Sequence, residues 1–454
     1  MRPSPPKHPP LSPQPPGAVR ELSPQALARQ LEWARAQDQA DPLGELRARF
    51  ALPVAADGTP LVYLCGHSLG LAPLAARARV EAEITDWERL GVLGHEQART
   101  AWLDYAEGLR APLAQLAGAL DAEVVVMSSL TVNLHLLLAS FYRPQAQRRA
   151  ILIEAGAFSS DRHAVATQIA WHGHTPAAEL IELPTRRGEA LLRIEDIEAA
   201  IARAKGRLAL VVWPAVQYLT GQRFDVARIA RAAHEAGAFV GFDLAHAIGN
   251  VPLALHEDAA DFAVWCSYKY LNGGPGAIGG AFVHERHGQS GPRPQLAGWW
   301  GHEPVSRFQL SPEFSPAAGA AAYALSNPPI LSAAPLRAAL PLFEVAGLTA
   351  LRRKSVALTA YLESLLSPLT GTALDQLTPR DPQQRGCMLA FRVRAGAAAA
   401  RSVCQRLAAR GVVCDLRVPD VLRLAPVPLY NRYEDVLRGA WELLLALREL
   451  GATA

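Results

Sequence analysis

The sequence predicts an α/β protein in which a large domain, built on a mostly parallel sheet, precedes a smaller α+β C-terminal domain. Three observations predict this fold class. The 454 residues suit two or three domains, the middle of the chain alternates short β-rich runs with amphipathic helical patterns, and this alternation changes beyond Pro335. Half of the residues are hydrophobic and 19% are charged, which excludes a mostly disordered or disulfide-stapled chain.

The amino-terminal region divides into a tail and a helical segment. The first twenty residues hold eight prolines and few large apolar side chains, so residues 1–20 are expected to form a disordered Pro-rich tail. Ser23 suits the N-cap of a helix in which Leu27, Leu31 and Ala34 recur. The predicted domains are an N-terminal segment associated with the small domain (21–70), the large domain (71–330) and the small domain (331–454).

The elements of both domains follow from local patterns. Further helices are predicted over 74–90 and 103–120, and a crossover helix over 224–236 should end at Gly237. Buried strands are predicted at 150–154, 208–213, 238–243, 262–267 and 280–284. The small domain should contain helices over 355–366, 399–409 and 434–450, and strands over 388–393, 411–416 and 421–424.

Charge and cysteine usage exclude several classes of function. Lys plus Arg (45) against Asp plus Glu (42) leaves a net charge of +3, too balanced for binding dominated by phosphate neutralisation, so nucleic acid is not an expected partner. Five scattered cysteines without a C-x-x-C pair favour a reducing, cytoplasmic setting and no metal site. The uncharged stretches 124–142 and 314–336 are interrupted by polar residues or prolines, and no signal-peptide pattern opens the chain, so no membrane partner is expected.

Lysine is rare enough in this chain to be informative. Only Lys7, Lys205, Lys269 and Lys354 occur: the first lies in the tail, the second at a helix end, and the last on a helix face that we expect to be exposed. Lys269 alone sits among apolar and small residues, between a strand and the glycine-rich turn 273–276, where partial desolvation favours nucleophilic amine chemistry. A lysine whose stem packs while its ammonium reaches water would show the same pattern.

Asp243 strengthens the functional interpretation of Lys269. It ends a predicted parallel strand, at the edge where open α/β sheets bind ligands. A strand-end aspartate and a later lysine are the two contacts that pyridoxal phosphate (PLP) needs, one at the ring nitrogen and one at the aldehyde carbon. His246 could orient Asp243 or touch the cofactor, although a turn cap and a hydrogen-bonded core histidine are the plain alternatives.

A phosphate anchor is predicted where a helix follows Ser129. Ser129, Leu130 and Thr131 would offer backbone N–H groups and hydroxyls to an anion, although an ordinary N-cap has the same sequence pattern. Phe158 is a candidate to face the pyridine ring, and core packing is its alternative.

Taken together, these residues lie in a chain that resembles the kynureninase family of fold type I, aspartate-aminotransferase-like PLP enzymes. The resemblance runs from about Tyr63 to beyond Asn431, in several motifs that keep one order. Its most specific stretches are 66–70 (GHSLG), 129–135 (SLTVNLH), 241–246 (GFDLAH), 265–272 (WCSYKYLN), 298–302 (GWWGH), 326–329 (SNPP) and 423–431 (RLAPVPLYN).

The resemblance implies a cofactor, a seven-stranded type of sheet and a set of site residues. Lys269 is implied to bind PLP covalently and act as a catalytic base, with Asp243 at the pyridinium and Tyr268 as a candidate for proton transfer. The remaining implied cofactor contacts are Leu130, Thr131 and Tyr268 at the phosphate, Phe158 on the ring, Asp161 and His246 in the pocket, and Trp299 and Asn327 across a homodimer interface. Pro214 departs from the pattern, because some relatives carry serine there near the phosphate.

The implied activity is hydrolysis of L-kynurenine, or of 3-hydroxy-L-kynurenine, to anthranilate or 3-hydroxyanthranilate and L-alanine. This hydrolase would act in tryptophan catabolism or NAD biosynthesis. Arg423 is the candidate for the substrate α-carboxylate, because a guanidinium grips a carboxylate bidentately; a surface ion pair is its alternative. His95 and Asn327 match positions that line the aryl ring of the substrate.

Three alternatives remain open at this stage. A cysteine desulfurase or selenocysteine lyase of the same fold needs a reactive cysteine, and Cys387, which precedes a predicted strand, is the candidate. A non-catalytic ligand-binding protein could keep the fold, although Lys269, Asp243 and Arg423 together argue against it. A dinucleotide-dependent oxidoreductase is disfavoured because no G-x-G-x-x-G opens a helix after an early strand.

Overall fold

The computed structural model describes residues 23–289 and 293–451, and the predicted tail at 1–20 lies outside them. The strands are β1 (Val62–Tyr63), β2 (Val124–Val126), β3 (Ala150–Glu154), β4 (Leu180–Leu183), β5 (Leu208–Pro214), β6 (Phe239–Asp243), β7 (Phe262–Trp265), β8 (Gly280–Val283), β9 (Leu374–Gln376), β10 (Leu389–Val393), β11 (Val412–Val413), β12 (Asp415–Arg417) and β13 (Val421–Leu424). The α-helices are α1 (Pro24–Ala40), α2 (Leu74–Leu90), α3 (Gly94–Gln97), α4 (Glu107–Ala117), α5 (Leu130–Phe141), α6 (Ser159–Trp171), α7 (Pro176–Glu179), α8 (Ile194–Ala204), α9 (Val226–Glu235), α10 (Arg286–Gln289), α11 (Ile330–Ala346), α12 (Leu348–Leu366), α13 (Ala397–Ala409) and α14 (Tyr433–Glu449).

A seven-stranded sheet forms the centre of the fold, with the strand order β2-β8-β7-β6-β5-β3-β4. Only β8 runs antiparallel to its neighbours, and the remaining adjacent pairs are parallel. The strands β2, β3, β7 and β8 are buried at every position, as expected for a sheet covered on both faces. The predicted α/β class with a mostly parallel sheet is confirmed.

A second sheet, β12-β13-β10-β9, is antiparallel throughout. Its core also contains apolar residues of α12, α13 and α14, together with Ala34, Val62 and Leu64 from the amino-terminal segment. The pairing of β1 with β11 adds a backbone connection between these two parts of the chain. The domain boundaries proposed from the sequence stay predictions, but these contacts are those expected if residues 21–70 accompany the small domain.

Most predicted elements recur in the structure, with differences at their ends. Ser23 caps α1, since its hydroxyl accepts a hydrogen bond from the N–H of Ala26 at 3.2 Å. The helix predicted over 103–120 is confined to α4, because Gly118 adopts a left-handed φ of 61°. The strand predicted over 411–416 splits into β11 and β12, which pair with β1 and β13, respectively.

The exposed position expected for Lys354 is wrong. Its ammonium lies 2.7 Å from Asp41 Oδ2, and both side chains are only 6% exposed. Burial lowers the Lys354 pKa, and the neighbouring carboxylate of Asp41 opposes that effect. This ion pair joins the end of α1 to α12.

No single helix among the described residues is long and apolar enough to cross a membrane. Helices α11 and α12 pass the same test of length and composition only when taken together, and they are bent by 83° at Gly347. The apolar residues of α11 include Ala333, Leu336 and Leu340, which are buried in the protein core.

Candidate active site

The candidate site lies where parallel strands of the central sheet end. The strands β2, β3, β5, β6 and β7 run in one direction, so their carboxyl ends share one edge of the sheet. The segments that follow these strands carry all but four of the predicted site residues, and the open edge of such a sheet is the usual place for a ligand.

Asp243 and Lys269 follow two adjacent strands. Asp243 ends β6, opposite Val264 of β7, and its Oδ1 accepts a hydrogen bond from the N–H of Ala245 at 2.6 Å. Lys269 comes four residues after β7 and is partly buried. Its ammonium lies 5.6 Å from the ring centroid of Tyr268. Burial and the nearby Cys266 thiol raise the pKa of the Tyr268 hydroxyl, which therefore keeps its proton at neutral pH.

The turn that carries Lys269 is supported by the amino-terminal motif of residues 66–70. The N–H of Gly70 donates to the carbonyl of Tyr268 at 2.8 Å. A Cβ atom at Gly70 would lie only 2.2 Å from the Lys269 carbonyl oxygen, so this close approach of two backbones requires glycine.

Asp161 lies in the first turn of α6, in the same cavity as Phe158, Asp243 and His246. Its Oδ1 is buried and has no hydrogen-bond partner among the residues that the structure describes. Burial, followed by the neighbouring Asp243, raises the pKa of this carboxyl group. The orphaned oxygen and the shared cavity indicate that a further polar group belongs here.

The amino terminus of α5 forms a candidate anion site. Ser129 is the N-cap but makes no side-chain cap hydrogen bond within the described chain, so N–H groups of the first turn remain available to a ligand. Thr131 Oγ1 lies 2.6 Å from Ser160 Oγ. A Cβ atom at Gly279 would lie 3.2 Å from the Leu130 nitrogen, so glycine keeps this helix end open.

Arg423 lies on β13 and is completely buried. Its Nη1 donates to the carbonyl of Tyr218 at 2.6 Å, and its Nη2 contacts Asp415 Oδ2 on the paired strand β12. Its Nε has no hydrogen-bond partner in the described part of the chain. Burial lowers the Arg423 pKa to about 10, so the guanidinium stays charged at neutral pH. The surface ion pair considered from the sequence is wrong.

Two buried histidines lie close to Lys269 and Arg423. His246 and His67 have ring centroids 6.4 Å apart. Burial, followed by the charges of Lys269 and Arg423, lowers the pKa of His246; burial and the same two charges, among others, lower that of His67. Both imidazoles are therefore neutral at physiological pH and can act as hydrogen-bond donors and acceptors.

Four of the predicted residues lie on the protein surface. Phe158 is 40% exposed and packs edge to face against Tyr218, with ring centroids 5.3 Å apart. His95, Trp299 and Asn327 are also exposed. His95 contacts Trp102, and Trp299 contacts Phe308.

The sequence interpretation missed several residues in or beside the site. Glu154 ends β3, and Tyr218 follows β5; both line the cavity that contains Asp243. Gln217, which also follows β5, donates to Glu154, so the strand-end rule that found Asp243 could have found all three. His67 and Asp415 come from segments outside the central sheet, where that rule gives no signal.

These features fit PLP. The first turn of α5 suits a phosphate, the cavity with the unpaired Asp161 oxygen and Asp243 suits a protonated pyridine nitrogen, and the partly buried Lys269 suits the aldehyde.

The chain is similar in structure to the cysteine desulfurase CsdA from Escherichia coli, with a TM-score of 0.69 and 22% identity, covering 90% of this chain and 98% of that one. It is also similar to C-DES with glycine covalently linked to the PLP cofactor, with a TM-score of 0.69 and 18% identity over 84% and 96% of the two chains. The fold and the site together define a fold type I PLP enzyme.

Sequence relatives then identify the family. The chain is 54% identical to the kynureninase of Xanthomonas oryzae pv. oryzae over 403 residues, which cover 89% of this chain and 95% of that protein. It is 52% identical to the kynureninase of Koribacter versatilis over 406 residues, with the same coverage. Residues 351–443 match the model of the kynureninase C-terminal domain. The chain belongs to the kynureninase family.

The cysteine desulfurase alternative is not supported by the geometry of Cys387. This residue is fully buried, and burial raises the pKa of its thiol to about 12. A neutral, inaccessible thiol is a poor sulfur acceptor, and the likeness to the desulfurase structures therefore concerns the fold alone.

Proposed function

We propose that this protein hydrolyses L-kynurenine, or 3-hydroxy-L-kynurenine, to anthranilate or 3-hydroxyanthranilate and L-alanine with PLP as cofactor. The observation that carries the proposal is the 54% identity to a kynureninase over 89% of the chain. The positions of Lys269, Asp243 and Arg423 support it, because they supply an amine, an acid and a carboxylate-binding group around one sheet edge.

We assign cofactor binding to residues from five segments. The phosphate would be held at the N–H groups and hydroxyl of Leu130 and Thr131, and by Tyr268. Asp243 would pair with the pyridine nitrogen, with Asp161 and His246 beside it. Phe158 would cover one face of the ring. Pro214 ends β5 and can offer only its carbonyl group where some relatives carry serine.

The catalytic work of the chain is proton transfer and substrate orientation. When bound, PLP supplies an electron sink for the electron pairs released at the substrate Cα and Cβ. Lys269 takes the proton from Cα, and Arg423 orients the substrate by its α-carboxylate. Tyr268, which is protonated at neutral pH, donates a proton at the ketone during the addition of water. Cleavage of the bond between Cβ and the carbonyl carbon then yields alanine and the aromatic acid.

The function is tested by product analysis of the purified holoenzyme. We expect equimolar anthranilate and alanine from L-kynurenine. A parallel assay with 3-hydroxykynurenine will establish which of the two substrates the enzyme prefers. L-cysteine serves as the contrasting substrate. Release of alanine and sulfur from cysteine, without cleavage of either kynurenine, would contradict the proposal and favour a desulfurase.

Replacing Arg423 by lysine is expected to raise KM for kynurenine and to lower kcat/KM about 10- to 100-fold. Lysine keeps the charge but loses the planar fork, and a hydrogen bond to a charged group contributes about 1.5–3 kcal/mol. Steady-state kinetics measure the effect. Arg392→Lys, at an exposed position on the paired strand β10, is the matched control, and an unchanged KM in Arg423→Lys would remove Arg423 from substrate binding.

A homodimer with shared active sites is part of the proposal. Trp299 is 48% exposed and lies 5.8 Å from Phe308, centroid to centroid, on a surface that also exposes Val305 and Leu310. An exposed apolar patch of this kind favours a protein interface. Across it, Trp299 and Asn327 of one subunit would reach the cofactor of the other, and His95 and Asn327 would line the aryl ring of the substrate.

Subunit complementation tests the shared site. Lys269→Ala and Asn327→Ala homodimers should each be impaired, and subunit exchange in an equimolar mixture should restore about a quarter of the wild-type sites, because half of the dimers are mixed and each contains one intact site. Activity after exchange measures this result. If no activity returns although co-purification of differently tagged subunits shows mixed dimers, Asn327 acts within its own subunit.

The cellular role follows from the reaction. A kynureninase produces alanine and an aromatic acid from a tryptophan degradation product, so we place the protein in tryptophan catabolism or NAD biosynthesis. The scattered, unpaired cysteines favour a reducing, cytoplasmic location.

A further inference from the structure

Glu154 is a buried acid that the proposed mechanism does not use. It ends β3, is 3% exposed, and lines the same cavity as Phe158, Asp161 and Asp243. Its Oε1 accepts a hydrogen bond from Gln217 Nε2 at 3.3 Å. Ionised glutamates are rarely buried without a cationic partner, and Glu154 faces an amide.

Gln217 connects Glu154 to a loop between the cofactor pocket and Arg423. Its Oε1 accepts from the N–H groups of Leu219 and Thr220 at 2.6 and 2.8 Å, so this one side chain fixes the loop of residues 217–222. The loop presents Tyr218, whose ring packs against Phe158 and whose carbonyl accepts the hydrogen bond from Arg423. Glu154 therefore lies at one end of a chain of contacts that reaches the guanidinium proposed to bind substrate.

The charged groups around the pocket determine whether the Glu154 carboxyl group is ionised. Three carboxyl groups, Glu154, Asp161 and Asp243, line one cavity, and Lys269 is the cation that acts on Asp161. Burial, followed by the charge of Asp243, raises the Glu154 pKa to about 8, although the Gln217 hydrogen bond opposes the shift. Like charges in one buried site disfavour simultaneous ionisation.

We propose that Glu154 is a positioning residue that works in its protonated form: through Gln217 it holds the 217–222 loop against Arg423, and it leaves Asp243 as the carboxylate that pairs with the pyridine nitrogen. This inference rests on the proposed function, since it assigns Glu154 a part in the same PLP and substrate site. It predicts that an uncharged isostere works at position 154 and that an apolar residue does not.

Glu154→Gln and Glu154→Leu separate the two requirements. Glutamine keeps an oxygen that accepts from Gln217 and mimics the neutral acid, so its holoenzyme should match the wild type within about threefold in PLP dissociation constant, kcat and KM at neutral pH. Leucine removes the acceptor, so we expect KM for kynurenine to rise about tenfold, with a smaller change in kcat. A larger change in KM than in kcat is the expected result if the loop acts through Arg423, the residue proposed to bind the substrate.

Thermal unfolding of the holoenzymes provides a readout independent of turnover. A carboxyl whose pKa is raised from 4.5 to about 8 in the folded state destabilises the fold progressively as pH rises between these values, because only the unfolded chain releases the proton there. Glu154→Gln should therefore melt at the same temperature as the wild type near pH 4.5. As the pH rises from there to about 8, the variant should melt at an increasingly higher temperature than the wild type. Glu182→Gln, on the adjacent strand β4 with its acid exposed, should show no such growing difference.

Three different results would contradict the protonated state of Glu154, its link through Gln217, and the proposed function, respectively. Should Glu154→Gln raise KM for kynurenine as much as Glu154→Leu does, or gain no thermal stability over the wild type as pH rises, the protonated acid would not be the working form of Glu154 and the inference would be overturned. If the leucine variant binds kynurenine like the wild type, the link through Gln217 would be overturned. A wild-type protein that fails to bind PLP or to cleave kynurenine would instead contradict the proposed function.

Discussion

Replacing Lys269 by alanine is expected to lower kcat for kynurenine by a factor of about 10³ or more. General acid–base catalysis alone contributes about 10²- to 10⁴-fold, and this lysine is also the only covalent attachment point proposed for PLP. The purified variant should lack the imine absorbance of the wild type, and borohydride should leave no cofactor attached to the peptide that contains residue 269. Stopped assays of anthranilate and an absorbance scan measure both effects.

Lys205→Ala is the matched control for this experiment. Lys205 lies at the end of α8, is exposed, and is far from the sheet edge that carries the site. We expect wild-type activity and an unchanged spectrum. A Lys269→Ala variant that kept more than a tenth of the activity would require another base and would contradict the proposed mechanism.

The largest expected effect on stability comes from the other buried lysine. Lys354→Ala should lower the free energy of unfolding by about 3–5 kcal/mol, because it leaves Asp41 buried without its cation. Urea unfolding of the holoenzyme, followed by circular dichroism, measures the change. The same measurement on Arg35→Ala, which breaks the exposed pair with Glu434, should show a loss of no more than about 1 kcal/mol.

A double variant tests the origin of that loss. Asp41→Asn combined with Lys354→Met removes both charges while preserving much of the buried volume, so it should recover most of the stability lost in Lys354→Ala. If the double variant is as unstable as the single one, packing of the lysine stem, and not the ion pair, stabilises this contact.

The large domain could be predicted well where local patterns and tertiary structure agree. The strand at 150–154 matches the predicted bounds, because the apolar run from Ala150 to Ile153 defines it. The strands β2 and β4 were missed because β2 continues into the longer uncharged stretch 124–142 and Glu182 interrupts β4, so neither stands out as an isolated apolar run. Helix α11 was missed because Pro335 and Pro341 lie inside it, and proline normally indicates a break.

The candidate site was predictable to the extent that it follows strand ends. Asp243 was found by that rule, Lys269 by its apolar surroundings after a strand in a chain with few lysines, and their roles stay predictions to be tested. Lys354 was assigned to a surface because its helix alone suggests an exposed face, whereas its partner Asp41 comes from a distant segment. The contact between Asp415 and Arg423 likewise depends on the pairing of β12 with β13, which neither strand reveals by itself.

The backbone contact between Gly70 and the lysine turn has a consequence for biosynthesis. Gly70, in the amino-terminal part of the chain, completes this turn. The same part of the chain pairs with β11 through β1, and the carbonyl of Tyr63 accepts a hydrogen bond from Asn431. An early segment of the chain therefore completes the turn that carries Lys269, and a late segment pairs with that early one. A nascent chain stalled before β11 would already contain Gly70 and Lys269 but would lack Arg423, the residue proposed to bind the substrate carboxylate.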